Sequence, residues 1–191
     1  RDGHAVVFHD ATLERLTGMR GRVDAQDLDR LTRIPLNGNN GTIPELSEML
    51  GALRGRVPVL IEIKTDNDRV APLCMAVRRA IEGKDRHIAV MGFNPMVGTW
   101  FRRHAPHVVR GLVVTEEGNR GWRGMLRRHL SLWSARPDFL AYDIRDLPSD
   151  FAGAQRARGL ALLSWTVRDP DQHARVKAHA DAAIFERRRE A

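Results

Sequence analysis

Residues 57–64 read Val57-Pro58-Val59-Leu60-Ile61-Glu62-Ile63-Lys64. Side chains alternate across a β-strand, so Val59, Ile61 and Ile63 share one face and Leu60, Glu62 and Lys64 the other. A run this apolar reads as a central strand covered on both faces, as in parallel sheets. Two charges then stand on one face at its C-terminal end. An ion pair at the sheet rim is one account of them. The other is chemical: a carboxylate for a hard cation beside an ammonium for an anion, at the strand end where parallel α/β folds carry their sites.

Outward from this run, further short apolar stretches recur at 5–8, 88–91, 109–114, 139–142, 160–167 and 181–185. Amphipathic stretches suited to helices lie between them, at 45–54, 69–82, 95–104, 121–133, 150–158 and 170–179. Pro44 and Pro95 sit at first-turn positions, Asp169-Pro170 resembles a cap followed by a first-turn proline, and Gly55, Gly83 and Gly159 suit helix C-termini. Strand alternating with helix specifies a parallel sheet covered by helices, either an open doubly wound sheet or a closed barrel. No glycine-rich loop follows a strand, which argues against a nucleotide-binding fold. Segment 10–56 breaks the rhythm. It has no clear strand, contains Asn37-Gly38-Asn39-Asn40-Gly41, a loop signal, and reads as an insertion between the first strand and the regular repeat.

The chain has 191 residues, 42% hydrophobic and 29% charged, enough for one sizeable core and a single domain over 1–191. The apolar runs are too short to cross a bilayer, so no transmembrane segment is expected. No signal peptide is visible, and the first residue is Arg1 rather than Met, so targeting is not readable. Cys74, the sole cysteine, excludes an intrachain disulfide and lies in an apolar, helix-like stretch that suits a buried structural thiol. The net charge is +7. Its arginines are scattered, as Arg78-Arg79, Arg102-Arg103 and Arg127-Arg128, at positions that read as solvated helix faces, with Arg187 to Arg189 in a frayed tail. Without a basic stripe interleaved with aromatics, no nucleic acid partner is expected, while a basic surface would attract an anionic phosphate substrate.

Asp2-Gly3 is a two-residue hairpin signal, and 5–8 makes its second strand; the first would precede Asp2. With the non-Met start, this reads as a chain cut upstream. In such a hairpin His9 would face a position about five residues before Arg1. His9-Asp10 ends the strand, and a histidine there can move protons near neutral pH. Only a minority of the eight histidines can be catalytic. In the run 160–167, Leu163, Trp165 and Val167 share one face and Ser164 and Thr166 the other. Trp165 at its end is either a pocket wall or a core or rim aromatic.

Together these residues resemble the glycerophosphodiester phosphodiesterase family. The likeness runs from Asp2-Gly3 through Val6-Val7-Phe8-His9-Asp10, Thr12-Leu13-Glu14-Arg15 and Thr17-Gly18. It continues at Ile43-Pro44-Glu45-Leu46, Glu48-Met49-Leu50, Ile61-Glu62-Ile63-Lys64, Phe93-Asn94-Pro95 and Trp165-Thr166-Val167. The resemblance implies a TIM-like (β/α)8 barrel, incomplete at the N-terminus by about two strands. It implies hydrolysis of a small-molecule glycerophosphodiester to an alcohol and glycerol 3-phosphate, with one divalent cation, Mg²⁺ or Ca²⁺. Carried over by residue, His9 matches one of two catalytic histidines, Glu62 a metal-binding carboxylate, Lys64 a phosphate contact and Trp165 a substrate contact. The second histidine, in a His-Arg-Gly motif, and the remaining carboxylates belong to upstream motifs absent from these residues. Gly92, Arg168 and Asp181–Glu186 depart from the family pattern, where a serine, an asparagine and a glycine followed by Thr-Asp are usual. The alternatives are a phospholipase D-like or phosphatidylinositol-specific phospholipase C-like enzyme on the same barrel, or a degenerate barrel that binds without catalysis.

Overall fold

The computed structural model describes residues 1–38, 41–65, 67–84 and 87–186. Asn39-Asn40 of the loop signal and Arg187 to Arg189 of the tail lie outside the described residues. The chain forms two compact units, Arg1–Ala89 and Val90–Ala191.

The first unit contains the short helices α1 (Glu14–Thr17) and α2 (Leu28–Leu31), then α3 (Leu46–Leu53), β1 (Val59–Glu62) and α4 (Ala71–Ile81). Strand β2 (Ile88–Gly92) begins in it. The second unit continues with α5 (Pro95–His104), β3 (Val109–Val114), α6 (Trp122–Ala135), β4 (Phe139–Asp143), α7 (Asp150–Ala157), β5 (Ala161–Val167), α8 (Pro170–His179) and β6 (Ala182–Phe185). The strands stand in the sheet in chain order, β1 through β6. The pairings β3–β4, β4–β5 and β5–β6 are parallel, with a helix in each connection. This is the α/β architecture of an incomplete (β/α) barrel. Because the order is sequential, β1 stands at one end of it and is only half-buried along its length. The central position expected for 57–63 is therefore not observed.

Helix starts follow local chemistry. The Asn94 side chain accepts from the Met96 N–H at 2.9 Å with Pro95 opening α5, and Asp169 accepts from the Gln172 N–H at 2.8 Å with Pro170 opening α8. Gly55, Gly83 and Gly159 stand just past their helices at φ of +65°, +73° and +88°, the left-handed region that favours glycine. Pro44 departs from expectation: it lies ahead of the Glu45 cap, outside α3. Its carbonyl accepts from the Val7 N–H at 2.9 Å, and the Leu46 N–H donates to Ala5 O at 2.9 Å. These two bonds frame a single antiparallel bridge, Val6 opposite Glu45. Pro44 has no N–H and Leu46 already belongs to the helix, so the ladder stops there. The strand expected over 5–8 is reduced to that bridge.

Segment 10–56 has its own small core of Leu13, Leu31, Ile34 and Ile43, against which Val6, Phe8, Val23 and Leu36 pack. The second unit is built around a larger core that includes Leu112, Leu140, Tyr142, Phe151, Leu162 and Val167. Leu162 and Val167 share this core because the β5–β6 register shifts between Ser164 and Val167. The strict alternation expected over 163–167 therefore fails at Val167.

Two glycines are required by close approach. Gly111 is paired with Phe139 across β3 and β4, and a Cβ at Gly111 would meet the Phe139 ring at 2.3 Å. A Cβ at Gly124 in α6 would stand 1.7 Å from the Asn119 carbonyl oxygen, which is backbone and cannot swing away. Gly124→Ala is expected to destabilise the protein by about 1–3 kcal/mol or more in urea titrations. Gly153→Ala is the control, since nothing lies within 4 Å of its Cβ position in α7. It is expected to be neutral or to stabilise by about 0.5–1 kcal/mol. Equal losses at the two sites would contradict the packing described.

Candidate functional site

His9 follows the extended segment that bridges to Glu45 and precedes α1. Its Nδ1 lies 2.7 Å from Asp10 Oδ1. The Arg15 Nε donates to Asp10 Oδ2 at 2.7 Å and its Nη2 to Oδ1 at 2.6 Å. Arg15 first, and His9 second, hold the Asp10 carboxyl down at about 2. A carboxylate on Nδ1 favours the tautomer protonated there, so Nε2 is the ring atom placed to exchange a proton. Arg15 reaches back because α1 turns over Leu13, which is fully buried, and Thr17, whose hydroxyl donates to Leu13 O at 2.7 Å.

Glu62 ends β1, and Lys64 follows two residues later on the same face. The Lys64 Nζ lies 2.8 Å from Glu62 Oε1, and both side chains are half-buried. Ile63 between them is buried, which holds the backbone while both charges face outward from it. The pair is thus an ion pair at the strand's end. Among the described residues no hydrogen bond or ion pair joins His9 to Glu62 or Lys64.

In the second unit, the Trp165 Nε1 donates to Ala141 O at 2.8 Å. Its ring meets Phe93 edge-to-face, with centroids 5.6 Å apart and planes at 84°. Phe93 follows β2 directly, so two aromatics stand together at strand ends. Two of the departures from the family pattern also meet: Arg168 Nε donates to Glu186 at 3.1 Å, so each charge satisfies the other.

A polar cluster at the ends of β3 and β4 escaped the sequence reading. Asp143, 1% exposed, accepts from Arg145 Nη2 at 2.6 Å, from the Arg145 backbone N–H at 2.9 Å and from Thr115 at 3.3 Å. Burial alone would raise its pKa, but Arg145 and Thr115 outweigh that and hold it below the usual carboxylate value. Asp146 accepts from the Thr115 hydroxyl at 3.0 Å and the Glu116 N–H at 2.6 Å. Glu116 accepts from Ser149 at 2.6 Å and from Tyr142 at 2.5 Å. Burial, and then the Glu116 carboxylate, push the Tyr142 phenol well up. Arg128, expected on a solvated face, is instead 9% exposed. It donates to Asn119 O at 2.9 Å, pairs with Glu116 at 3.3 Å and lies over the Phe151 ring. The strand-end rule that singles out Glu62 applies equally to Asp143, and that was the available signal.

Among the described residues no group of three or more His, Cys, Asp or Glu side chains could hold a metal ion. Cys74 is fully buried and burial pushes its thiol up to about 12, which fits a structural thiol. No helix, among the described residues, is long and apolar enough to cross a membrane.

A model of the glycerophosphoryl diester phosphodiesterase family matches residues 1–187. The glycerophosphodiester phosphodiesterase of Caldanaerobacter subterraneus subsp. tengcongensis is 26% identical over 194 residues, covering 96% of this chain and 77% of the relative. A phosphodiesterase from Oleispira antarctica, solved in complex with the product sn-glycerol 3-phosphate, superposes with a TM-score of 0.77 at 19% identity. That match covers 96% of this chain and 76% of the other. The Thermotoga maritima glycerophosphodiester phosphodiesterase gives 0.70 at 18% identity, covering 95% and 75%. At these identities the solved structures establish likeness of fold.

The Asp143 cluster makes a prediction independent of activity. Because its folded pKa is lowered, the stability Asp143 contributes is fully present above the ordinary carboxylate value of 3.8 and is lost as pH falls through the lowered one. Asp143→Asn is expected to cost about 1–3 kcal/mol near neutral pH. In urea titrations repeated down the acid range, the gap from wild type should shrink. A gap independent of pH would mean that Arg145 does not stabilise the ionised form.

Proposed function

The chain belongs to the glycerophosphoryl diester phosphodiesterase family, and on that premise we propose that it hydrolyses glycerophosphodiesters to an alcohol and glycerol 3-phosphate, with Mg²⁺ or Ca²⁺ as cofactor. The observation that carries this reading is the Glu62–Lys64 pair at the C-terminal end of β1. Attack at phosphorus by an oxygen nucleophile, water or the substrate's own glycerol hydroxyl, forms one P–O bond as the bond to the alcohol oxygen breaks. It adds negative charge to the phosphoryl oxygens, and the nucleophile releases a proton while the departing alkoxide takes one up. Lys64 supplies positive charge for the phosphate. His9, with its Nδ1 held by Asp10, moves the proton through Nε2. Trp165, braced by Phe93 and by Ala141 O, supplies an apolar wall for the substrate. The product bound by the Oleispira antarctica enzyme supports the choice of substrate class.

The described residues do not by themselves fit a divalent cation, since no group of three potential ligands is assembled. Glu62 is proposed as one carboxylate of a larger set, and a hard cation suits oxygen ligands of that kind. Residues 1–191 are proposed to act as one phosphodiesterase domain in which 10–56 is an insertion.

Release of glycerol 3-phosphate, with and without chelator, is the test. It is made on a protein that carries this chain together with the His-Arg-Gly motif and the remaining carboxylates that the family resemblance implies. Glu62→Gln is expected to suppress release and to recover in part at high metal concentration. Unchanged metal affinity would reduce Glu62 to a structural partner of Lys64. His9→Ala is expected to lower kcat about 10²–10⁴-fold with little change in Tm. Near-normal turnover would remove His9 from the chemistry. Residues 1–191 alone are expected to release almost no product. Chelator-sensitive turnover by them would show that unrecognised residues supply the ligands.

A further inference from the structure

Helix α6 turns five of its large apolar residues outward, while Leu132 packs against the core. At about 100° per residue, its buried residues Gly124, Arg128 and Ala135 fall on one side of the axis. Trp122, Met125, Leu126, Leu130 and Trp133 fall within an arc of about 140° on the other. Trp122 is 68% and Trp133 71% exposed, and the three side chains between them are exposed as well. Five of the thirteen exposed large hydrophobic side chains among the described residues therefore lie on this one face, so they form a patch rather than scattered exposures. Of the arc's side chains, only His129 has a ring contact with the rest of the unit among the described residues, apart from the Arg123 guanidinium over Trp122. The helix is held from the opposite side by Gly124 against Asn119, Ala135 against Gly98 and Arg128 against Glu116 and Phe151. His129 falls inside the arc, between Met125 and Trp122, and is turned to the Phe151 ring.

The charge that α6 itself brings to the patch has one sign. Helix α6 carries no Asp or Glu. Arg123 and Arg127 are exposed on one shoulder of the arc, with Arg120 before the helix and Arg136 after it. The Arg123 guanidinium lies 5.3 Å from the Trp122 ring. Among the described residues, Arg120 alone of these four has a carboxylate on it, Asp146 at 3.1 Å. We propose that this face of α6 docks the protein on an anionic lipid bilayer, with Trp122, Leu126, Leu130 and Trp133 entering the headgroup region and Arg123 and Arg127 meeting lipid phosphates.

The composition decides between occupants. Tryptophans about 16 Å apart along the axis, with aliphatic side chains between and arginines at the shoulder, match an amphipathic interfacial helix. A second copy of the chain fits worse: paired antiparallel, two such faces would set the Arg123 and Arg127 rows near one another, and in either direction neither helix offers a carboxylate to meet them. The net charge of +7 favours the same anionic surface at longer range.

The experiment is co-sedimentation of the whole protein with vesicles of phosphatidylcholine alone, or of phosphatidylcholine with an equal part of phosphatidylglycerol. Tryptophan emission is read on the same samples. Binding is expected only to the anionic vesicles, with a blue shift and with loss at high salt. The double variants Trp122→Ser/Trp133→Ser and Arg123→Glu/Arg127→Glu change exposed side chains only, so far-ultraviolet circular dichroism should be unaltered. Each is expected to reduce partitioning about tenfold or more. No binding to anionic vesicles, or equal binding by wild type and both variants, would overturn the proposal. So would a wild-type dimer in light scattering that Trp122→Ser/Trp133→Ser converts to monomer, since that would assign the face to a second copy. Capture of a protein partner without vesicle binding would likewise overturn it.

Discussion

Parallel pairing fixes which way a strand's last residues point, and much of the second unit follows from it. Gly111 pairs with Phe139 and Phe139 with Ala161, so β3, β4 and β5 run together and deliver Thr115, Asp143 and Val167 to the same end. Polar side chains can gather there because the strands beneath are already satisfied by one another. Thr115 then serves both Asp143 and Asp146 at once, and Ser164 and Trp165 fasten β5 to β4 through carbonyls of Tyr142 and Ala141. Helix caps at Asn94, Ser149 and Asp169 return the chain from that end at set points.

The regular part of the fold was legible because each strand from β2 onward is a short apolar run bracketed by helix punctuation. The run 109–114 coincides with β3, and 139–142 and 88–91 each miss a single residue at the C-terminal end. The failures have local causes. Segment 5–8 has strand composition, but its partner offers a proline and then a helix, neither of which can extend a ladder. Val167 changes face because the register slips after Ser164, which alternation in sequence cannot register. Helix α6 is the sharpest case. Its period is helical, but pattern alone does not say which side is inward. Here Gly124, Ala135 and Arg128 are buried while both tryptophans, Leu126 and Leu130 are exposed, and only Leu132 among its leucines packs on the core.

The candidate site was legible where chemistry is written in adjacent residues. Glu62 and Lys64 are two apart on a strand, so alternation alone puts them together, and the strand-end rule says where. Asp10 beside His9 is equally direct, but the Arg15 that clamps it depends on the turn of α1 around Leu13. The Glu116 cluster needed three separate segments to converge, since Arg128, Tyr142 and Ser149 come from a helix, a strand and a cap. Arg168 and Glu186 look like unrelated departures in sequence, and become one feature only when β5 and β6 lie side by side.

The Phe139 ring covers Gly111 so closely that the two positions behave as one character in two places. Enlarging residue 111 first drives a methyl into a ring held between two strands. Shrinking residue 139 first opens a void that a later side chain at 111 can fill. Change at this pair therefore proceeds more readily in one order than the other. A lineage of such proteins would cross it at least cost by loosening 139 before a side chain appeared at 111.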